Sequence, residues 1–275
     1  MGPLSKAPAA PAAAWPPAVA DQSAPILEHD PATEAVIEPT GKHSAPVLPE
    51  RCVLCFFHDA IATLVSDGAA RKATDLRSEM GPLAVYAFEE SGRTLTLAHP
   101  GLGAPMGAAF MEELIALGCR HFIACGGAGV LRADIAVGHL VVPTAAVREE
   151  GTSYHYFPPS RELTPSPAAV TAIRSLLDEE GIAYRTGKTW TTDGLYRETP
   201  EKVARRRAEG CLTVEMECSA LCAVARFRGV TFGQILYGGD DVSGLAWDRR
   251  AWDLQDAVRE RLLHLAARAC LRVPD

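Results

Sequence analysis

The apolar pattern between residues 213 and 244 predicts a helix, a turn, a buried strand and an acidic loop in succession. One apolar face recurs at helical spacing, at Met216, Ala220, Val224 and Phe227. Gly229 is expected to end the helix, and residues 230–237 form an apolar run of strand length. Glu217 projects near the apolar side of the helix, where a carboxylate needs a partner or a ligand. Asp240 follows the strand, and strand ends are where open α/β sheets place ligands.

Apolar runs elsewhere predict further strands over residues 51–57, 83–88, 94–99, 121–130, 139–147 and 184–192. Amphipathic stretches predict helices that begin near His58, Gly103 and Ala168, and one closing helix over residues 247–271. In the second of these helices, Glu112 and Glu113 are expected to face outward. Strands that alternate with helices predict one α/β domain with a central sheet between helix layers.

Residues 1–49 differ from the rest of the chain. They hold ten of the twenty prolines, with repeats such as APAAPAAAWPP, and they lack apolar periodicity. We therefore expect residues 1–49 to be largely disordered, residues 1–24 above all, and residues 50–275 to form the domain. Residues 25–49 contain scattered apolar side chains that suit a segment lying along the domain surface.

Composition narrows the function classes. The chain has 275 residues, 48% hydrophobic and 22% charged, with a formal net charge of −7. It has no basic block that would favour nucleic acid, and no apolar run of the roughly 18 residues that would span a membrane. Of its eight cysteines, Cys52 and Cys55 form a C-x-x-C, but residues three apart on a strand point to opposite faces. A reduced, cytoplasmic protein is the expectation.

The run Val214-Glu215-Met216-Glu217, followed by small residues and then an apolar strand with an acidic end, resembles the nucleoside phosphorylase-I superfamily. That superfamily contains purine nucleoside phosphorylases, uridine phosphorylases and adenosylhomocysteine-type nucleosidases. The resemblance implies that Glu217 holds the ribose hydroxyls, that Met216 packs on the sugar and that Asp240 protonates the leaving base. Burial beside Asp241 is expected to raise the pKa of Asp240 through like-charge repulsion.

The resemblance extends over about 220 residues and implies a mixed, partly barrel-like sheet flanked by helices. It adds a glycine-rich loop before a helix, a second glycine-rich segment, a G-x-S-x-H-[FY]-like stretch and a T-x-D-x-L-Y stretch. The further substrate-binding candidates from these motifs are Glu215, Gly103, Gly126, Gly127, Leu195, Tyr196, Ser153, His155 and Asp241.

The sequence departs from the family at the phosphate site. Ala124 and Gly127 stand where the family has an arginine and a serine or threonine that grip phosphate, and residues 56–59 replace its Gly-Asp-Pro loop. Thr199 and Glu201 replace the glutamine and arginine with which uridine phosphorylases bind uracil.

The implied activity is ribosyl transfer from a nucleoside to phosphate, with phosphate-independent hydrolysis and non-catalytic nucleoside binding as alternatives. No metal or organic cofactor is expected, and phosphate is a possible co-substrate. The resemblance also implies a homodimer or higher homo-oligomer. In the family a histidine near the N-terminus reaches a neighbour's site, so His29 and His43 are the candidates here, although a surface histidine without a role is the simpler interpretation.

Overall fold

A computed structural model describes residues 24–39 and 47–275. The strands are β1 (Arg51–Cys55), β2 (Ala70–Ser78), β3 (Gly81–Glu90), β4 (Arg93–Ala98), β5 (His121–Val130), β6 (Leu140–Glu149), β7 (Glu162–Leu163), β8 (Tyr184–Thr192), β9 (Cys211–Glu215) and β10 (Thr231–Asp241). The helices are α1 (His58–Ser66), α2 (Ala104–Ala116), α3 (Pro167–Glu179), α4 (Pro200–Ala208), α5 (Cys218–Arg228) and α6 (Asp256–Arg272). Of the helices in these described ranges, none combines the length and apolar character needed to cross a bilayer.

The strands form one mixed sheet in the order β10-β6-β8-β9-β5-β1-β4-β3-β2, and β7 pairs with β6. Because β10 also pairs with β5, the strands β5, β9, β8, β6 and β10 close into a barrel. β1 is parallel to both β4 and β5, and β10 is parallel to β5. The predicted α/β domain with a mixed, partly barrel-like sheet is therefore confirmed.

Helices cover both faces of the sheet. One apolar cluster joins α1, α3 and α6 to the sheet, and another joins α2 and α5 to its opposite face. Successive side chains on β1 point to opposite faces of the sheet, so Cys55 packs in the first cluster and Cys52 in the second. All eight cysteines are buried and free, so the C-x-x-C forms no disulfide in this structure.

Several boundaries differ from the sequence prediction. Residues 211–215 form a strand, and α5 begins only at Cys218; the prediction that the segment from Thr213 starts as a helix is wrong. Pairing with β5 carries β10 through Asp241, so the glycine-rich residues predicted as a loop belong to a strand. Gly229 does end α5, with a left-handed φ of 67°.

The closing helix is also shorter than predicted, because it begins at Asp256 and not at Trp247. Arg250 and Ala251 both have a φ of 48°, which an α-helix does not permit, and Asp248 pairs with Asp241 in a β-bridge. Strands β2 and β7 were not predicted. The prediction that Glu112 faces outward is wrong, since it is buried and accepts a hydrogen bond from Arg228 Nε at 2.7 Å.

The described part of the N-terminal segment lies against the domain. Glu38 pairs with Arg228 at 3.3 Å, and Ile26 packs beside Gly151. Residues 1–23 and 40–46, including His43 and most of the segment predicted to be disordered, lie outside the described residues.

Candidate active site

A cavity of about 330 Å³ opens at the carboxyl ends of β1, β5 and β10. This edge is where a sheet with parallel strands receives its ligands. The volume lies at the lower end of the range typical of small-molecule sites. Seven of the predicted site residues line the cavity: Glu215, Met216, Glu217, Asp240, Gly126, Gly127 and Leu195.

Glu217 lies immediately before α5 and is 5% exposed. Its Oε1 accepts the backbone N–H of Gly103 at 2.6 Å, and its Oε2 accepts the N–H of Met216 at 3.3 Å. A carboxylate has about four acceptor positions, so two remain for a ligand. Helix α2 packs against this side chain, because a Cβ placed on Gly107 would lie at ordinary contact distance, 3.5 Å, from Cγ of Glu217. The two backbone bonds therefore fix the carboxylate with its remaining acceptors available.

Glu215, at the end of β9, stabilises the start of α5. Its Oε2 accepts the backbone N–H groups of Glu217 at 2.8 Å and of Cys218 at 2.6 Å. Its Oε1 accepts the hydroxyl of Thr191 at 2.7 Å. The free N–H groups of a helix N-terminus favour a carboxylate at this place. Although Glu215 lines the cavity, its hydrogen bonds are committed mainly to holding Glu217 in position.

Burial raises the pKa of both glutamates. For Glu217, desolvation is the larger cause and the charge of Glu215 the next, while the hydrogen bonds from Gly103 and Met216 oppose the rise. For Glu215, desolvation is opposed by its hydrogen bonds from Thr191 and the start of α5. Two buried carboxyl groups this close disfavour double ionisation, so the pair tends to retain a proton near neutral pH.

Asp240 faces the cavity from β10. Its Oδ2 accepts the indole N–H of Trp247 at 2.6 Å. Gly129 on β5 lies beside the carboxylate, since a Cβ there would be in ordinary contact with Oδ1 of Asp240 at 3.6 Å. Asp240 therefore presents its carboxyl group to the cavity from β10, while Glu217 faces the same cavity from the start of α5.

Asp241 does not have the role that the sequence predicted. Successive residues on a strand point to opposite faces, and Asp241 does not line the cavity. Its carboxylate forms an ion pair with Arg250 and accepts the backbone N–H of Ser243 at 2.7 Å. The proposed like-charge repulsion between the two aspartates is therefore corrected: the charge of Asp241 is offset by Arg250.

Glu198 is an acidic neighbour of Asp240, at a position where the sequence favours a solvated charge at a helix start over a group that reads the edge of the base. It lines the same cavity as Asp240. Burial, followed by the charges of Asp240 and Glu149, raises the pKa of Glu198 to about 7. In the sequence Glu198 precedes the Thr-Pro start of α4, which is typical of a solvated charge at a helix start. Glu198 lies beside Asp240 because the fold brings the segment before α4 close to the end of β10.

Three predicted residues lie away from the cavity. Ser153 is fully buried, donates to Glu150 and accepts from Arg148 Nε at 2.9 Å. His155 lies in a separate surface groove beside Arg228. Tyr196 is 94% exposed. Gly103 contributes through its backbone N–H, as described above.

The remaining wall is aromatic and was not predicted. Its side chains are Phe56, Phe57, Tyr237 and Trp252. Among the described residues that line the cavity, Arg259 is the one cationic side chain. It donates to Asp59 Oδ2 at 2.6 Å and lies over the rings of Phe57 and Trp252. Flat rings of this kind suit a planar ligand. An aromatic residue in a buried strand or helix is usually part of the core, so no separate signal for this wall is present in the sequence.

Comparison with known proteins identifies the family of this chain. The family model described as Phosphorylase superfamily matches residues 50–273. A guanosine phosphorylase of Halorubrum lacusprofundi is 32% identical over 204 residues, which cover 74% of this chain and 81% of the relative. A uridine phosphorylase of Salmonella typhimurium is 28% identical over 164 residues, covering 54% of this chain and 65% of the relative.

Solved structures share the fold. The purine nucleoside phosphorylase of Toxoplasma gondii in complex with immucillin-H superposes with a TM-score of 0.70 at 22% identity, covering 82% of this chain and 92% of that one. The AMP nucleosidase of Bacteroides thetaiotaomicron gives a TM-score of 0.64 at 24% identity, covering 79% and 85%. The family model and the relatives named phosphorylases show an enzyme of the nucleoside phosphorylase family. The chain belongs to the phosphorylase superfamily, which confirms the resemblance carried by its V-E-M-E run.

Proposed function

We propose that this protein cleaves the N-glycosidic bond of a nucleoside, with Glu217 anchoring the ribose hydroxyls and Asp240 protonating the leaving base. The observation that supports this most directly is that the two acids face one cavity from neighbouring elements. Guanosine is the first substrate to test, because the relative that is 32% identical over 204 residues is a guanosine phosphorylase.

The chemistry assigns each acid a task. As the glycosidic bond breaks, the sugar gains positive charge and the base gains negative charge. Glu217, already fixed by two backbone N–H groups, has acceptors left for the 2′ and 3′ hydroxyls. Asp240 gives a proton to the base as general acid, a contribution typically worth ~10²–10⁴-fold in rate. This division of labour requires neither a metal nor an organic cofactor.

The cavity walls supply the rest of the substrate site. Met216 packs on the sugar, and the rings of Phe57, Tyr237 and Trp252 bound the space in which a planar base would lie. The molecule that receives the ribosyl group is phosphate if the chain acts like the relatives named phosphorylases. It is water if the chain acts like the structural neighbour named a nucleosidase. Assembly into a homodimer or larger homo-oligomer belongs to the same proposal and is checked by light scattering after size exclusion.

A nucleoside panel tests the proposal. Guanosine, inosine, adenosine and uridine are incubated with the full chain, and the released base is separated by chromatography. We expect base release from at least one of them, with Glu217→Gln raising KM as well as lowering kcat. If a nucleoside binds in calorimetry while no base is released from any of the four, the protein is a non-catalytic binder and the proposal is wrong.

A further inference from the structure

Gln234 is a buried polar side chain whose amide oxygen has no hydrogen-bond partner among the described residues. It lies on β10, is 1% exposed and lines the candidate cavity. Its Oε1 is buried and has no hydrogen-bond partner in the described structure. An unpaired buried acceptor destabilises the folded protein, so a residue of this kind points to a partner that arrives with the ligand.

The surroundings of Gln234 leave space for a small molecule. It is in register with Ala124 on the parallel neighbour β5, so the two side chains share one face of the sheet. Two residues further along β5 lies Gly126, which also lines the cavity and has no side chain. The amide of Gln234 therefore faces the cavity side of the sheet, next to Ala124 and Gly126, before the carboxyl ends of the strands.

Among the described residues, the cavity lining offers an anion no unpaired cation. Four carboxyl groups line the cavity, at Glu198, Glu215, Glu217 and Asp240. Arg259, the cationic group among the described lining residues, is already paired with Asp59 at 2.6 Å. Oε1 of Gln234 is an acceptor and requires a hydrogen-bond donor. Water has two O–H groups that can donate, whereas the phosphate dianion has one.

We infer that Gln234 holds the nucleophile that attacks C1′ of the sugar, and that this nucleophile is water. The inference rests on the proposed glycosidic cleavage and specifies how that cleavage ends. One O–H of the water donates to Oε1 of Gln234, which leaves an oxygen lone pair available to the sugar carbon.

The step is balanced by water and two proton transfers. The C1′–N bond breaks with its electron pair on the base nitrogen, which takes the proton of Asp240. The water oxygen forms the new C1′–O bond and loses one proton, which restores the proton of Asp240. Base and free ribose leave, and neither phosphate nor any redox partner takes part.

The identity of the sugar product, ribose or ribose 1-phosphate, tests whether the nucleophile is water or phosphate. The full chain, dialysed free of phosphate, is incubated with each nucleoside of the panel with and without added phosphate, and ribose is distinguished from ribose 1-phosphate. We expect base release without phosphate, free ribose as the product and a rate that phosphate does not increase. Base release that requires phosphate and yields ribose 1-phosphate would overturn the inference while upholding glycosidic cleavage. No base release under either condition would overturn both.

Two variants test the assignment to Gln234. Gln234→Met keeps the length and removes the acceptor, so kcat should fall about tenfold, the scale of one lost hydrogen bond, while KM for the nucleoside stays close to its original value. With methanol added as a competing nucleophile, the ratio of methyl riboside to ribose should rise. Gln255→Met is the matched control, because the Gln255 amide donates to the backbone oxygen of Ala251 outside the lining residues.

An unchanged kcat and an unchanged methanol ratio in Gln234→Met would overturn the role of Gln234. Melting temperatures of both variants show whether each is folded. If Gln234→Met does not fold, the wild-type product analysis still decides between water and phosphate.

Discussion

The backbone N–H of Gly103 donates to Oε1 of Glu217 at 2.6 Å. This bond connects the loop before α2 to the start of α5 and orients the carboxylate that we propose to hold the sugar. Gly103 has a φ of 87°, a conformation that glycine adopts without strain and that side chains rarely adopt. The conformation of one loop residue thus determines the direction of the proposed sugar anchor.

Gly103→Ala should impair catalysis more than its loss of stability explains. An alanine at this φ costs on the order of 1 kcal/mol and turns the N–H away from Glu217. Gly210→Ala is a matched control, because Gly210 has a φ of 90° with no atom within 4 Å of the added Cβ, far from the cavity lining. We expect similar falls in melting temperature, with a raised KM for the nucleoside only in Gly103→Ala. Equal kinetic effects in the two variants would show that the Gly103–Glu217 bond does not anchor the sugar.

Most of the fold could be predicted because most elements have a simple apolar period. The strand at Tyr184–Thr192 was predicted with its observed bounds. Strand β2 was missed because its sequence ARKATDLRS is mostly polar, and only its pairing with β3 makes it a strand. The glycines after Tyr237 favour a loop by propensity, but the ladder with β5 keeps them extended.

The site was predicted where residues close in sequence carry a motif, and missed where distant segments meet. Glu217 and Asp240 were named from one continuous stretch, and both line the cavity. Glu198 and Gln234 were not assigned, since one precedes a helix and the other is a polar residue inside an apolar strand. Their placement at the cavity depends on the closure of the barrel through β10 and β5, which no local pattern specifies.

The buried glutamates predict a decline in stability as the pH rises. Burial raises the pKa of Glu217 to about 8 in the folded protein, above the ordinary value of 4.5. Between these pH values the folded state binds more protons than the unfolded state, so the free energy of unfolding falls as pH increases. We expect the melting temperature to fall between pH 5.5 and pH 8.5, because the buried pair loses its proton less readily in the folded protein than in the unfolded chain.

Glu217→Gln should make that decline shallower, because one of the titrating groups is removed. Glu201→Gln, which changes a side chain that is 86% exposed on α4, serves as the control and should leave the slope unchanged. The measurement is a series of calorimetric melting temperatures across this pH range. A slope in Glu217→Gln as steep as in the wild type would contradict the attribution to the buried pair.

Glu198 predicts a pH dependence of activity. Its pKa is raised to about 7 by burial and by the charges of Asp240 and Glu149, so a negative charge develops on Glu198 beside the base site as pH passes neutrality. That charge opposes departure of a base gaining electrons, so kcat/KM should decline above about pH 7. Glu198→Gln should remove the decline between pH 6 and pH 8, while the exposed control Glu201→Gln should retain it. Persistence of the wild-type decline in Glu198→Gln would exclude this titration as its cause.

Replacement of Asp240 by asparagine, measured with two substrates, tests the proposed chemistry most directly. The variant keeps the shape of the side chain and an acceptor for the Trp247 indole, but it has no proton to give. With the natural nucleoside, kcat should fall by ~10²–10⁴-fold, the usual value of general acid catalysis. Nitrophenyl riboside, whose leaving group needs no proton, should be cleaved at nearly the wild-type rate. Asp241→Asn, which affects the aspartate paired with Arg250, should spare the natural substrate far more. Equal slowing of both substrates by Asp240→Asn, or loss of activity only in Asp241→Asn, would contradict the assignment of Asp240 as the proton donor.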